Sequence, residues 1–226
     1  MKKCVILSGA GISADSGLQT FRDAGGLWEG YKIEEVCTPE AYARDPKKVL
    51  DFYNMRRRQA NAAQPNAAHK ALVALEPHYR VEIVTQNVDD LHERAGSRSV
   101  LHLHGELNKV RSCVNDYEII GWMGDQSEAD CDANGYPLRP HIVWFGESVP
   151  AFGEAVHAMQ DADVVVVVGT SLKVYPAASL LQYAPPHAEI YLVDPNPGRV
   201  DIQAEVIPQR AKDGVPTLVD HLIETA

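Results

Sequence analysis

Residues 4–28 read C-V-I-L-S-G-A-G-I-S-A-D-S-G-L-Q-T-F-R-D-A-G-G-L-W, and the junction inside that stretch decides the fold. The apolar run from Cys4 to Leu7 reads as a buried strand that passes directly into glycines and other small residues. Small residues at a strand end let backbone N–H groups approach a phosphate that bulkier side chains would block, so a nucleotide is the expected ligand. The spacing of Gly9, Gly11 and Gly17 departs from the six-residue dinucleotide fingerprint, and taken alone such a run is more often a plain turn. Its long continuation to the aromatic Phe21 and to Arg22 favours the ligand reading.

Working outward, short apolar strands recur at 81–84, 100–103, 164–168 and 190–193. Helical periodicity separates most of them, over 46–63, 67–75, 152–160 and 177–183, with a last helix at 215–223. The alternation predicts an α/β fold, a Rossmann-like parallel sheet with helices on both faces. The unbroken valine run at 164–168 suits a strand buried on both sides, and Gly169, Thr170 and Ser171 at its end bring a second ligand contact beside the first loop. Between 107 and 140 the chain is polar and turn-rich, which reads as a small inserted module of short strands and loops. The expected division is a single domain over 1–226, with a large part formed by 1–36, 76–106 and 141–226. A smaller part comprises helical 37–75 and 107–140.

The 226 residues carry 31 acidic and 21 basic side chains, a formal charge of −10. That balance repels nucleic acid and anionic membrane, so neither is expected as a partner. No apolar run approaches the roughly 18 residues of a membrane helix, and Met1-Lys2-Lys3 leads into the first strand without a signal-peptide pattern. A cytoplasmic monomer is expected. Cys4, Cys37, Cys113 and Cys131 are too scattered for a disulfide scaffold, and Cys4 reads as core.

Chemistry-bearing residues cluster after the strand at 81–84, in Thr85-Gln86-Asn87-Val88-Asp89-Asp90-Leu91-His92. Short polar side chains there suit ribose hydroxyls or a carboxamide, while Asn87 or Asp89 would equally serve as a helix N-cap. His102 and His104 alternate on the next strand and so share a face; they suit a metal, a general base or a purely structural role.

A fourth segment, R-P-H-I-V-W-F-G-E at 139–147, makes the pattern specific. The chain resembles a sirtuin, an NAD-dependent protein lysine deacylase. The resemblance rests on G-A-G-I-S with F-R at 9–22, T-Q-N-V-D at 85–89, H-G at 104–105, V-W-F-G-E at 143–147 and G-T-S at 169–171, in the family's order over essentially the whole chain.

The resemblance implies NAD as cofactor and acylated lysine side chains of proteins or peptides as substrate. Gly9, Ala10, Gly11, Ile12, Asp15, Phe21, Arg22 and Trp28 would line the pyrophosphate and nicotinamide side. Gln86 and Val88 would meet the ribose region, with Asn87 and Asp89 in the nicotinamide pocket as catalytic residues. Gly169, Thr170 and Ser171 would hold the adenosine half, with Asp194, Pro195, Asn196 and Ala211 near adenine. His104 matches the catalytic base, which takes a proton from a ribose hydroxyl after the acyl oxygen has attacked C1′ and nicotinamide has left. The products are free lysine, nicotinamide and an O-acyl-ADP-ribose; His102 is then structural. Val143, Trp144, Phe145 and Gly146 would pair with an extended substrate peptide. An ADP-ribosyltransferase or NAD hydrolase, and a non-catalytic NAD or ADP-ribose-binding module, are the alternatives.

Tyr53 and Arg56 are three apart on one helix face and resemble the Tyr-x-x-Arg pair of class III sirtuins, which remove succinyl and malonyl groups. Desuccinylase and demalonylase activity is expected, with deacetylation compatible. Cys37 replaces the alanine of that class and narrows the acyl pocket slightly. The zinc pattern is incomplete: Cys113 and Cys131 remain, but Asp116 and Asn134 replace their partners, so zinc is expected to be lost or weakly held. In its place, Trp122 and Tyr117 are expected to pack the small module. Asp194 replaces the family's asparagine and removes an amide donor.

Overall fold

The computed structural model describes residues 1–20, 27–170, 172, 174–197 and 203–226, and the structural statements below concern these residues. In chain order, β1 (Lys3–Ser8) leads through two short 3-10 turns to β2 (Leu27–Trp28) and β3 (Tyr31–Lys32). Helices α1 (Ile33–Val36), α2 (Pro39–Arg44), α3 (Pro46–Ala62) and α4 (Ala67–Val73) follow. Then come β4 (Arg80–Thr85), α5 (Leu91–Ala95), β5 (Val100–His102), β6 (Gly105–Ser112), β7 (Ile119–Gly121) and β8 (Leu138–Ile142). The chain closes with α6 (Phe152–Gln160), β9 (Val164–Val168), a 3-10 turn (Ala177–Tyr183), β10 (Glu189–Val193), β11 (Glu205–Ile207) and α7 (Ala211–Glu224).

Six strands form one parallel sheet in the order β11-β10-β9-β1-β4-β5. Counted along the chain, this is the doubly wound order in which the direction of winding reverses between β1 and β9. Side chains alternate across the pleat: Cys4, Ile6, Val164, Val166 and Val168 face a core closed by α4 and α7. Val5, Leu7, Val165 and Val167 face a second core closed by α6 and the turn at Ala177–Tyr183. Every residue of β9 is buried, and each valine contributes roughly 1.5–3 kcal/mol by leaving water. The sheet is thus Rossmann-like with both faces covered, as the alternating pattern predicts.

Caps explain the helix starts: Thr38 and Asp45 accept from Ala41 N–H and Lys48 N–H, each followed by a proline in the first turn. The stretch at 177–183 tightens to 3-10 rather than an α-helix, with the Ser179 hydroxyl bonded to Pro176 O. Helix α7 begins four residues earlier than its apolar periodicity indicates, through Gly214, where a Cβ would stand 2.8 Å from Val193 Cγ1. The segment 105–142 holds a separate antiparallel sheet in the order β7-β6-β8. Tyr117 does not pack it; that ring is 95% exposed. Among the described residues no helix is long and apolar enough to cross a membrane.

Candidate active site

The reversal between β1 and β9 leaves a crevice at the carboxyl ends of the strands, where ligands collect in such sheets. The two loops there touch backbone to backbone. Gly9 N–H donates to Val168 O (3.0 Å) and Gly11 N–H to Gly169 O (2.8 Å). A Cβ on Gly11 would stand 2.6 Å from Gly169 Cα, and one on Gly169, at φ +63°, 2.3 Å from Ile12 N. The glycines therefore serve loop-against-loop packing, and two of the N–H groups expected to meet a phosphate are used within the protein. Around the crevice lies a cavity of about 830 Å³, ample for a large ligand.

Behind its floor runs a buried polar chain. Asn66 N–H donates to His69 Nδ1 (3.3 Å), so the His69 proton is on Nε2, which lies 3.5 Å from Ser13 Oγ. Ser13 Oγ also accepts from Asn87 Nδ2 and donates to Asp89 Oδ2, both at 3.1 Å. Alongside, Ser8 Oγ donates to Thr85 Oγ1 (2.8 Å), which leaves His92 Nε2 as donor to Ser8 at 2.9 Å. The two imidazoles meet edge to face with centroids 5.0 Å apart. Burial holds His69 down at about 4 and His92 well below the usual histidine value, so both are neutral. Burial also pushes the Asp89 carboxyl up, against bonds from Leu91 N–H and Ser13.

His102 and His104 hang from the same loop but part in role. His102 ends β5, bonds Asn87 O (2.9 Å) and pairs with Glu93 (2.8 Å). Burial opposes its charged form, yet Glu93 and the carbonyl raise its pKa overall. His104 lies beyond the strand, with Nδ1 3.1 Å from Gln86 O. A carbonyl only accepts, so Nδ1 carries the proton and Nε2 holds the lone pair. Burial lowers its pKa, which keeps it neutral and able to accept a proton at neutral pH. Gly105 follows because a Cβ there would stand 2.0 Å from His141 O.

The facing wall combines packed side chains with three engaged backbone N–H groups. Trp144 is 1% exposed; its Nε1 donates to Tyr53 Oη (3.0 Å), which donates to Cys37 Sγ (3.3 Å). Arg139 stacks on Trp144 at 3.4 Å and grips Glu147 with both arms, at 2.6 and 3.1 Å. Glu147 in turn accepts from Trp144 N–H (2.8 Å). Val143 N–H bonds His104 O and Phe145 N–H bonds Cys37 O. With Trp144 N–H also used, an incoming peptide strand cannot take those three donors. Arg56 lines the cavity and pairs with Glu29 at 3.1 Å.

The cavity lining brings together Gly9, Ala10, Gly11, Asp15, Gln86, Asn87, Val88, Asp89, His104, Gly169, Thr170, Asp194, Pro195, Asn196 and Ala211. It also includes Arg56 and the whole stretch Val143, Trp144, Phe145 and Gly146. Two expected residues stand outside it. Ile12 is fully buried in the core beneath the loop, and Tyr53 is fully buried behind Trp144 with its hydroxyl bonded to Cys37 and Trp144. Phe21, Arg22, Ser171 and the side chain of Trp28 lie outside the described residues. At the far end Asp15 pairs with Arg210 and Lys212, at 3.3 and 3.4 Å, and the Asp194 carboxylate accepts from Asn196 N–H (2.8 Å). Ser13 and Arg210 also line the cavity. Ser13 belongs to the G-A-G-I-S run itself, whereas Arg210 has no sequence signal beyond its position before Ala211.

The residues in the 105–142 segment do not fit a zinc site. Among the described residues no three His, Cys, Asp or Glu side chains converge on a point. Cys113 and Cys131 both join the backbone of Pro137, and Asp116 lies 3.5 Å from Arg111. The Asp132 carboxylate is committed to Ser112 Oγ (2.7 Å) and to the N–H groups of Asn134 and Tyr136 (2.9 Å each). Two thiols without two more donors fall short of a closed tetrahedral set.

Comparison with known proteins agrees with this geometry. The sequence model of the Sir2 family matches residues 9–176. An "NAD-dependent protein deacylase" of Aggregatibacter actinomycetemcomitans is 62% identical over 194 residues, covering 86% of this chain and 93% of its own. A protein of the same name from Helicobacter pylori J99 is 52% identical over 228 residues, covering 100% and 97%. The crystal structure of a Sir2 homolog–NAD complex superposes with a TM-score of 0.90 at 39% identity, over 99% of this chain and 90% of that one.

Proposed function

The chain belongs to the Sir2 family, and on that premise we propose that it is an NAD-dependent protein-lysine deacylase whose pocket accepts acidic acyl groups, succinyl and malonyl, beside acetyl. NAD would supply a ribose C1′ that leaves nicotinamide and receives the acyl oxygen. The chain's residues supply the rest. His104 Nε2 takes the ribose hydroxyl proton, its ring fixed by Gln86 O. Asn87 and Asp89, held through Ser13, position the nicotinamide end. Gln86 Nε2 donates to Thr170 Oγ1 (2.9 Å), which joins the ribose-facing and adenosine-facing loops. Trp144 and Phe145 flank the lysine stem.

The observation that carries the acyl assignment is Arg56, a guanidinium only 8% exposed in the same cavity as His104. Beyond its pair with Glu29, that guanidinium offers a carboxylate-bearing acyl group a charge-assisted bond that a neutral one does not gain. Tyr53 supports that site from behind by holding Trp144 and Cys37, rather than by offering its hydroxyl to the substrate.

The test is mass spectrometry of succinyl-, malonyl- and acetyl-lysine peptides with and without NAD. NAD-dependent loss of all three acyl groups is expected. His104→Ala should lower turnover by about 10²–10⁴-fold. Arg56→Met should lower the succinyl-to-acetyl rate ratio at least about tenfold. Equal succinyl and acetyl rates indifferent to Arg56→Met overturn the acidic-acyl assignment.

A further inference from the structure

The partner of Arg56 is as informative as Arg56 itself. Glu29 and Gly30 form the two-residue turn between β2 and β3, with φ of +52° and +83°. Both central residues of such a turn adopt the left-handed region, which favours glycine, asparagine or aspartate and is costly for glutamate. Glutamate is nevertheless there, and its side chain is turned inward. One oxygen lies 3.1 Å from Arg56 Nη1 and the other 3.5 Å from Gln59 Nε2, with only 9% of the side chain exposed. Arg56 is among the residues that line the cavity and Glu29 is not.

We propose that Glu29 is a specificity-determining residue that acts as a built-in counter-carboxylate for Arg56, an inference that rests on the acidic-acyl reading above. With a neutral acyl group in the pocket, the pair keeps a buried cation compensated, since an uncompensated one is strongly unfavourable. An acidic acyl group brings a second carboxylate to the same guanidinium. It must share Arg56 with Glu29 against like-charge repulsion, or displace it. Glu29 thereby lowers the preference that Arg56 alone would give to acidic acyl groups and keeps the pocket usable for neutral ones. No proton or electron changes hands; the effect is on binding and orientation of the acyl chain.

Glu29→Gln removes the charge and keeps the shape. The succinyl-to-acetyl ratio of kcat/KM is expected to rise about tenfold, mainly through KM for the succinyl peptide. Glu29→Asp suits the turn and withdraws the carboxylate from Arg56, and should shift the ratio the same way by less. In the Arg56→Met background Glu29→Gln should leave the ratio where Arg56→Met alone puts it. A ratio at or below wild type in both Glu29 variants, with Arg56→Met still impairing succinyl removal, overturns this inference alone. A succinyl rate indifferent to Arg56→Met removes the acidic-acyl reading and this inference with it.

Discussion

At the carboxyl ends of the central strands Gly11 and Gly169 meet backbone to backbone, while across the same cavity Trp144 meets Tyr53 and Arg139, and Arg56 meets Glu29, through side chains. The first wall has no adjustable atoms at its contact: a single added Cβ collides with main chain. The second is a set of rings and ion pairs in which one residue can change and its neighbours re-form. On the function proposed above, Arg56 in the variable wall would bear on the choice of acyl group.

The sharpest way to test that rigidity is to add one methyl group at the glycine contact and one at an exposed glycine outside both walls. In Gly169→Ala the methyl meets Ile12 N at 2.3 Å and the residue must keep φ +63°. The expected cost is about 4 kcal/mol or outright loss of folded protein. Gly121→Ala, on the exposed β7 with nothing within 4 Å of the new atom, should stay within about 0.5 kcal/mol of wild type. Urea midpoints of the two variants compare them, and equal midpoints would show that the glycine contacts are not what holds the crevice.

The two walls were also unequally legible in the sequence. The valine run and the small residues after β1 announce a buried strand and a close approach, because hydrophobic periodicity and missing side chains are local signals. What the glycines approach is not local: the pairing of Gly9 and Gly11 with the β9 loop joins residues about 160 apart and emerges only from strand order. For the same reason Ile12 reads as a lining residue beside Gly11 and is core, its side chain directed by the 3-10 turn at Ala10–Ile12. Tyr53 and Arg56 share a helix face by spacing, but spacing cannot reveal that Trp144, 91 positions away, takes the Tyr53 hydroxyl. The inward turn of Glu29 has no periodicity to disclose it. His104 stood out in the sequence as a candidate base, and its tautomer became readable only with Gln86 O in place.

Acid separates the two walls next. His69 and His92, behind the glycine wall, are neutral in the fold and titrate near 6.5 once unfolded. Between pH 6.5 and about 4 the unfolded chain therefore binds more protons, so stability is full above 6.5 and falls as pH drops toward 4. His69 alone accounts for on the order of 3 kcal/mol by the lower limit. Glu147, in the side-chain wall, behaves otherwise. Burial opposes its ionisation, but Arg139 and Trp144 N–H outweigh it and lower its pKa, so its pair outlasts that of an ordinary glutamate as pH falls. Urea midpoints at pH 7.5, 6 and 5 should fall progressively, and His69→Gln should flatten the fall. An unchanged slope in that variant would place the acid sensitivity elsewhere.

The smallest effect tests whether the segment 105–142, which leads into the side-chain wall through β8, stands without metal. Its two turn regions are joined by Ser112 Oγ on Asp132, and Asp132 also closes the turn onto Asn134 and Tyr136. A second tie comes from α3: Asn54 exchanges hydrogen bonds with the backbone of Gln126, and Arg57 reaches Leu107 O and Gly124 O. These contacts engage the Asp132 carboxylate within the segment and tie the segment to the helix bearing Arg56. Ser112→Ala removes a buried hydroxyl and leaves one Asp132 oxygen without that donor, so stability should fall by about 1 kcal/mol. A chelator should leave the wild-type midpoint unchanged. Near-stoichiometric zinc in the purified protein, or a midpoint that falls on chelation, would show that the two cysteines recruit a metal despite the missing donors. The side-chain wall would then rest on a metal rather than on Ser112, Asp132 and Asn54.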